Sequence, residues 1–209
     1  MSFSDAQVRE MVAAVLECEG LPPIVQAGHP VLRAHAVPVD GQLPIEDLMA
    51  LTGLMRAVMQ AAPGVGLAAP QLGIPLQLAV LEDPHEVSEE VAAGRQRTPL
   101  PYTVIINPRY EAIGAETASF FEGCLSMSGW QAVVERPLRV RLDYQDESGE
   151  AQSAEFSGWP ARIMQHETDH LAGTLYVDKA VMRSLACDAE YGQRWAQPGI
   201  ALARTGLGF

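Results

Sequence analysis

The most informative stretch of the chain reads His166-Glu167-Thr168-Asp169-His170, an H-E-x-x-H pentad. On an α-helix, positions i and i+4 lie on nearly the same face, about one turn apart. Both imidazoles can therefore bind one metal ion, and the carboxylate between them can reach a water bound to that ion. The pentad predicts a metal-binding helix. The alternative interpretation is an ordinary amphipathic helix with two hydrogen-bonded histidines.

The residues around the pentad favour a helix. Pro160 suits a first helical turn, and Ile163, Met164 and Leu171 recur with the histidines at helical spacing. Gly173 follows at a position where helices commonly end with a left-handed residue. We therefore expect one helix from about Pro160 to the residue before Gly173.

Two histidines leave one metal ligand to be found, because a catalytic zinc-type site usually has three protein ligands and one open position. Metzincin proteases have a third His after the pentad, but Tyr176 occupies that position here. Glu190 lies downstream at a separation that fits the thermolysin-like arrangement. Cys124 lies upstream, and a thiolate with two imidazoles is also a known catalytic set. A buried cysteine that packs as a small hydrophobe is the alternative for Cys124.

A second notable stretch, residues 64–71, reads GVGLAAPQ. Its two glycines and small residues allow a ligand to approach the backbone closely. A dinucleotide-binding loop needs G-x-G-x-x-G between a strand and a helix. Here a predicted helix precedes the glycines and Ala69-Pro70 follow them, so that interpretation is excluded.

Three segments together resemble peptide deformylase. The motifs of that family are G-x-G-h-A-A-x-Q, E-G-C-h-S and Q-H-E-x-D-H-h-x-G, and they occur here in that order at residues 64–71, 122–126 and 165–173. The resemblance extends over roughly residues 24–183. It implies a metal-dependent hydrolase that removes the N-formyl group from the formylmethionine of newly synthesised proteins and releases formate.

The resemblance also implies roles for individual residues. The implied metal ligands are Cys124, His166 and His170. Metal-bound hydroxide would attack the formyl carbon, with Glu167 as general base and then acid. The side-chain amide of Gln71 and the backbone N–H of Leu125 would stabilise the oxyanion, and Glu122 would orient the loop. The positions that match the methionine pocket of the family are Gly64, Val65, Gly66, Phe120, Trp159 and Ile163.

The resemblance favours iron(II) as the working metal, although zinc, nickel and cobalt also suit nitrogen and sulfur ligands. It implies N-formylmethionyl peptides and nascent chains as substrates, with transient proximity to the ribosome. Two alternatives stay open: an H-E-x-x-H metallopeptidase with Glu190 as third ligand, and a non-catalytic protein with a closed structural metal site.

Composition narrows the functional classes further. A net charge of −12 and a pI of about 4.7 argue against nucleic-acid binding. The tail, residues 184–209, has no basic run, so we expect its ribosome association to be weak or insensitive to salt. Three cysteines, no long apolar run and no signal-peptide pattern predict a cytoplasmic protein without a membrane segment.

The pattern of elements predicts an α+β fold, with mainly antiparallel strands packed around a central helix that carries the pentad. We expect one domain over residues 1–209, with an N-terminal helical extension at 1–23 and a C-terminal tail at 184–209. A capping-box pattern, Ser4-x-x-Gln7, predicts the start of the first helix. The other predicted elements are a helix at 45–62 and strands at 76–81, 103–106 and 138–145, with a return strand that ends near residue 156. Asn107-Pro108 is expected to end the strand at 103–106.

Overall fold

A computed structural model of the chain describes residues 3–84 and 87–209. Its α-helices are α1 (Asp5–Leu16), α2 (Ile45–Ala61), α3 (Glu89–Arg95), α4 (Gly158–Leu171), α5 (Asp188–Glu190) and α6 (Ala201–Leu207). Its strands are β1 (Gly66–Ala68), β2 (Leu78–Asp83), β3 (Leu100–Ala112), β4 (Thr117–Gly123), β5 (Trp130–Pro137), β6 (Arg139–Gln145), β7 (Ala151–Ser157) and β8 (Ala186–Cys187). The predicted α+β class is confirmed, because the described residues form helices together with two antiparallel sheets.

The strands form two antiparallel sheets. The larger sheet has the order β1-β2-β3-β6-β7, and the smaller has the order β4-β5-β8. β1 and β4 are therefore edge strands, each paired on one side only. The pentad helix α4 contacts strands of both sheets, so it is the element that joins them.

The larger sheet is covered on both faces. Along β2, Leu78 and Val80 face a core that includes α1 and α2, whereas Ala79 and Leu81 face the core that includes α4. Successive side chains of a strand point to opposite faces, so a continuous apolar strand is the pattern that such a buried sheet requires. The central helix is thus held against an apolar surface.

The boundaries of α4 follow from its sequence. Gly158 begins the helix with φ +62°, and the N–H of Trp159 donates to the carbonyl of Gln96 at 3.2 Å. Gly173 follows the helix with φ +74°, and its N–H donates to the carbonyl of His170 at 3.1 Å. A residue with a Cβ adopts positive φ only with strain, so glycine suits both ends. The predicted end of this helix at Gly173 agrees with the structure.

Several predicted elements occur close to their expected positions. The capping box of α1 is present: the Ser4 N–H donates to Gln7 Oε1 at 2.9 Å, and the Gln7 N–H donates to Ser4 Oγ at 3.3 Å. The helix predicted at 45–62 is α2, and the strand predicted at 138–145 is β6. The strand predicted at 76–81 begins two residues later, because Leu76 pairs instead with Val37 in an isolated parallel bridge.

The prediction that Asn107-Pro108 ends a strand was wrong. β3 continues through both residues to Ala112, with a register shift at this point. Asn107 takes φ +52°, and its side-chain amide donates to the Val39 carbonyl and to Gln145 Oε1, each at 2.9 Å. These side-chain bonds replace main-chain hydrogen bonds that are interrupted between β3 and β6. Asn107 and Pro108 therefore form a bulge within β3.

No helix in the two described ranges is long and apolar enough to cross a membrane.

Replacement of Gly173 by alanine should destabilise the protein by about 2 kcal/mol, because the residue has positive φ. A Cβ there would also lie 2.8 Å from the Arg33 carbonyl oxygen. Gly53, in the middle of α2 with open space around it, is the matched control, and Gly53→Ala should stabilise by about 0.5–1 kcal/mol. Urea unfolding measures both. Equal effects of the two substitutions would contradict this account of the helix end.

Candidate metal centre

Three side chains that could bind a metal meet at one point. Cys124 directly follows β4, whereas His166 and His170 lie one turn apart on α4. Their ligand atoms all lie within 4.8 Å of one another, and Cys124 Sγ is 3.3 Å from His170 Nε2. Glu190 is not part of this cluster, since its half-exposed carboxylate pairs with Arg194 at 2.6 Å. Of the candidates for the third ligand, Cys124 is therefore the one that lies beside both histidines.

The donor set fits a divalent transition metal. His166 Nδ1 lies 3.0 Å from Glu122 Oε2, which leaves Nε2 as the free ring nitrogen. A carboxylate on the other nitrogen is the usual way in which a protein orients a metal-binding histidine. One sulfur and two imidazole nitrogens form a three-ligand set that keeps a further position open. Glu167 Oε2, next to His166 in the chain, is buried without a hydrogen-bond partner among the described residues, as a carboxylate that faces a bound water would be.

The electrostatics of the cluster favour a positive charge. Burial alone would lower the pKa of His166, but hydrogen bonds to Cys124 and Glu122 and the charges of Cys124 and Glu167 outweigh it and raise that pKa well above its usual value. Burial and the nearby charge of His166 lower the pKa of His170 well below its usual value. Metal binding by such a cluster is coupled to the release of protons, because imidazole and thiol groups bind a metal in their deprotonated forms.

A buried ion network holds these ligands in position. Glu122 on β4 accepts from Arg136 Nε at 2.7 Å and Nη2 at 3.0 Å, and it also pairs with Arg162 and His166. Arg136 on β5 donates in addition to Asp169 Oδ2 at 2.7 Å. Burial would raise the pKa of Glu122, but Arg136 and His166 outweigh it and hold that pKa well below its usual range. The network therefore joins the smaller sheet to α4 next to the cluster of Cys124, His166 and His170.

The Asp169 carboxylate is shared by further partners. Lys179 Nζ donates to both of its oxygens at 2.7 Å, and the Tyr110 hydroxyl donates to Oδ1 at 3.0 Å. Tyr110 belongs to β3, so the network also reaches the larger sheet. The side chain of Asp169 thus connects α4, the smaller sheet and the larger sheet.

Close backbone approach explains the two glycines of the 64–71 stretch. A Cβ on Gly66 would lie 2.2 Å from Glu167 Oε1, and a Cβ on Gly64 would lie 2.7 Å from Leu125 Cδ1. Glycine therefore leaves room for the Glu167 carboxyl at residue 66 and for the tip of the Leu125 side chain at residue 64. Burial raises the pKa of Glu167 to about 7, so the carboxyl that packs on Gly66 can both accept and release a proton near neutral pH.

Gln71 lies beside the sulfur with its amide orientation fixed. Its Oε1 accepts from the Ala68 N–H at 2.8 Å, and its Nε2 donates to Ser126 Oγ at 3.3 Å and lies 3.7 Å from Cys124 Sγ. The Leu125 carbonyl accepts from Gln26 Nε2 at 3.0 Å. The side chain of Gln71 and the loop after Cys124 therefore both lie at the metal cluster.

A cavity of about 650 Å³ opens at the cluster. Its volume is within the usual range of about 300–1,000 Å³ for small-molecule sites. Five of the six predicted pocket residues line it: Gly64, Val65, Gly66, Trp159 and Ile163. Phe120 does not, since its ring packs edge-on against Trp159 with the centroids 6.3 Å apart. Three charged residues that the sequence did not indicate, Arg95, Arg162 and Asp188, line the cavity as well.

The sequence is similar to that of known proteins over most of its length. A family model described as polypeptide deformylase matches residues 21–185. Peptide deformylase 3 of Streptomyces avermitilis is 55% identical over 200 residues, which cover 96% of this chain and 89% of that protein. The mitochondrial peptide deformylase of Homo sapiens is 41% identical over 166 residues, with 77% and 68% covered.

Solved structures agree with the sequence comparison. Peptide deformylase from Thermotoga maritima superposes with a TM-score of 0.65 at 34% identity, covering 78% of this chain and 99% of that one. A Met-Ala-Ser-bound structure of a class I type b peptide deformylase from Acinetobacter baumannii gives a TM-score of 0.68 at 30% identity, with 78% and 99% covered.

Removal of Arg136 should strongly destabilise the protein, because it leaves Glu122 and Asp169 buried without their shared cation. We expect Arg136→Met to cost about 3–5 kcal/mol in urea unfolding at neutral pH. The loss should shrink in acid, since the stabilisation from a carboxyl with a lowered folded-state pKa is complete above its unfolded-state pKa and is lost as the pH falls toward the folded-state pKa. Arg141 is the control: its pair with Glu111 is exposed, so Arg141→Met should cost less than about 1 kcal/mol. Similar losses for both variants would contradict a structural role for the buried network.

Proposed function

The chain belongs to the polypeptide deformylase family, and from that premise we propose which of its residues carry out the reaction. It is a metal-dependent hydrolase that removes the N-formyl group from nascent peptides. The convergence of Cys124, His166 and His170 beside a buried carboxyl is the observation that carries the assignment of roles.

Cys124, His166 and His170 hold one divalent metal ion in this proposal. When bound, the cation supplies Lewis-acid activation of a water molecule and of the formyl oxygen. Iron(II) is the metal that we propose for the working enzyme, and zinc, nickel and cobalt suit the same donors. Glu122 keeps the ring of His166 in the orientation that presents Nε2, through the contact at Nδ1.

Glu167 moves the proton. Its unpartnered Oε2 accepts a proton from the attacking water, and the same carboxyl then donates it to the nitrogen of the leaving amine. The raised pKa of about 7 supports both steps, because a group that titrates near the working pH can act first as base and then as acid. Burial against Gly66 leaves the carboxylate little freedom to rotate away.

Gln71 and Leu125 stabilise the oxyanion that forms on the formyl oxygen. The amide of Gln71 is held by Ala68 with its nitrogen toward Cys124. The backbone N–H of Leu125 follows the ligand cysteine directly in the chain. Donors that are oriented before the reaction lower the barrier most effectively, because no reorganisation is needed when the charge develops.

The substrate enters the cavity between two strand edges. β1 and β4 are edge strands of different sheets, and Gly66 and Gly123 at their ends line the cavity. An extended peptide can pair with such edges through main-chain hydrogen bonds. Val65, Trp159 and Ile163 then provide the apolar wall for the methionine side chain, while Gly64 leaves room for the backbone.

The remaining assignments concern the setting of the enzyme. We propose the cytoplasm as its location, where nascent chains are made and where its three unpaired cysteines stay reduced. We also propose that residues 1–209 form one domain, because Val8 and Val12 of α1 are buried in the same core as α2. Transient proximity to the ribosome, with weak or salt-insensitive binding through residues 184–209, stays a prediction.

Replacement of Glu167 by glutamine should remove the proton carrier and keep the shape of the site. We expect formate release from formyl-Met-Ala-Ser to fall roughly 10²–10⁴-fold, with metal content unchanged by elemental analysis. Cys124→Ala should lose the metal, whereas Glu190→Gln should retain both metal and activity. Loss of metal in Glu190→Gln, with retention in Cys124→Ala, would instead support a metallopeptidase.

The choice of metal should set the lifetime of the enzyme in air. Iron(II) next to the Cys124 thiolate is open to oxidation, whereas nickel(II) is not oxidised under the same conditions. We expect the iron-loaded enzyme to lose formate-releasing activity in air sooner than the nickel-loaded enzyme. The anaerobic lifetimes of both forms are the control, and equal lifetimes in air would contradict the expectation.

A further inference from the structure

Two segments that carry none of the family motifs meet at the rim of the cavity. The α3 segment (residues 87–99) connects β2 to β3, and the C-terminal segment (residues 186–209) follows the part of the chain that matches the family model. Each contributes a charged residue to the cavity wall, Arg95 from the first and Asp188 from the second. Their contact therefore bears on how substrate is bound.

Arg95 joins the two segments. Its Nε donates to the Pro198 carbonyl at 3.3 Å, and its Nη2 donates to the Gln197 carbonyl at 3.2 Å and to the Tyr191 hydroxyl at 3.5 Å. The neighbouring backbone is close as well, since a Cβ on Gly94 would lie 3.1 Å from Pro198 Cβ. The guanidinium is thus fixed by three oxygen atoms of the C-terminal segment.

The same guanidinium lies over the indole of Trp159, 5.1 Å from the ring centroid. The next two residues of the α3 segment also hold this tryptophan. Gln96 accepts from its backbone N–H at 3.2 Å, and Arg97 lies 5.7 Å from the ring centroid. Arg97 is itself tied to the buried Asp83 by two bonds of 2.8 Å. Trp159 is one of the apolar residues that line the cavity. These contacts therefore determine the position of its indole ring in the cavity wall.

The C-terminal segment is firmly docked and can serve as a support. Phe121 of β4, itself a lining residue of the cavity, packs against Tyr191 with the ring centroids 5.0 Å apart. Ala203 of α6 is buried in one cluster with Phe121 of β4 and Val133 of β5. A chain end that is packed in this way restricts the side chains that bond to it.

We propose that the C-terminal segment is part of the substrate-binding wall, and that Arg95 is the positioning residue through which it acts on Trp159. The proposal rests on the proposed function and deepens it. The carbonyls of Gln197 and Pro198 hold the guanidinium on the indole face, where a cation is attracted by the π-electrons. The indole then keeps one position against the methionine side chain of the formylated substrate. The C-terminal segment thus sets affinity for the first residue of the substrate and leaves the chemical step unchanged.

Steady-state kinetics of Arg95→Met with formyl-Met-Ala-Ser test this proposal. Methionine keeps most of the apolar stem and removes the charge and the three hydrogen bonds. We expect KM to rise roughly fivefold while kcat changes by less than about twofold, as for a residue that acts on binding alone. Arg183→Met is the matched control, because it also removes a bond to the C-terminal segment but lies outside the cavity wall. Its kinetic constants should equal those of the wild type.

A double-mutant cycle with Trp159→Leu, which removes the aromatic face, separates positioning from direct contact with substrate. If Arg95 acts through the indole, Arg95→Met should change KM by less than about twofold in the Trp159→Leu background. Additive effects would overturn the positioning role, and so would an unchanged KM in the single variant. An equal rise of KM in Arg183→Met, or a parallel fall of kcat, would overturn it too. Absence of formate release by the wild-type enzyme would instead refute the proposed function.

Discussion

The ion pair between Glu122 and Arg136 is the interaction on which the rest of the site depends. Glu122 stands two residues before Cys124 and contacts His166, and Arg136 extends the connection to Asp169 inside the pentad. One buried pair thereby fixes the sulfur relative to both imidazoles. Breaking such a pair is costly, because the partner that remains is a buried and uncompensated charge. The same property makes the relative position of the smaller sheet and α4 rigid, as a three-ligand metal site requires.

The second constraint is space. The carboxyl of Glu167 is buried, and burial raises its pKa to about 7. It packs on the bare backbone of Gly66, because a Cβ at that position would overlap the carboxyl. The glycines were expected from the sequence to admit substrate. The structure shows that Gly66 first admits a side chain of the protein itself.

Several elements of the fold were predicted correctly from local sequence patterns. The capping box at Ser4, the helix at 45–62 and the alternating strand at 138–145 each depend on contacts between near neighbours, and each is present. The prediction that a strand ends at Asn107-Pro108 was wrong. Asn107 forms hydrogen bonds to Val39 and Gln145, which are far from it in the sequence, and local sequence patterns do not indicate such bonds. The pocket position of Phe120 depends similarly on packing, and its ring lies beside Trp159, outside the cavity lining.

The sequence by itself determined the chemistry that the chain can perform. Spacing along one helix places two imidazoles and a carboxyl on neighbouring positions, and the order of three motifs identifies the kind of reaction. Only the tertiary structure decided between Cys124 and Glu190 as neighbours of those imidazoles, since both are distant in the chain and suitable in type. It alone brought Arg95 and the C-terminal segment to the cavity. The physical reason is that helical periodicity acts over a few residues, whereas contacts between distant segments follow from how the two sheets pack on the central helix.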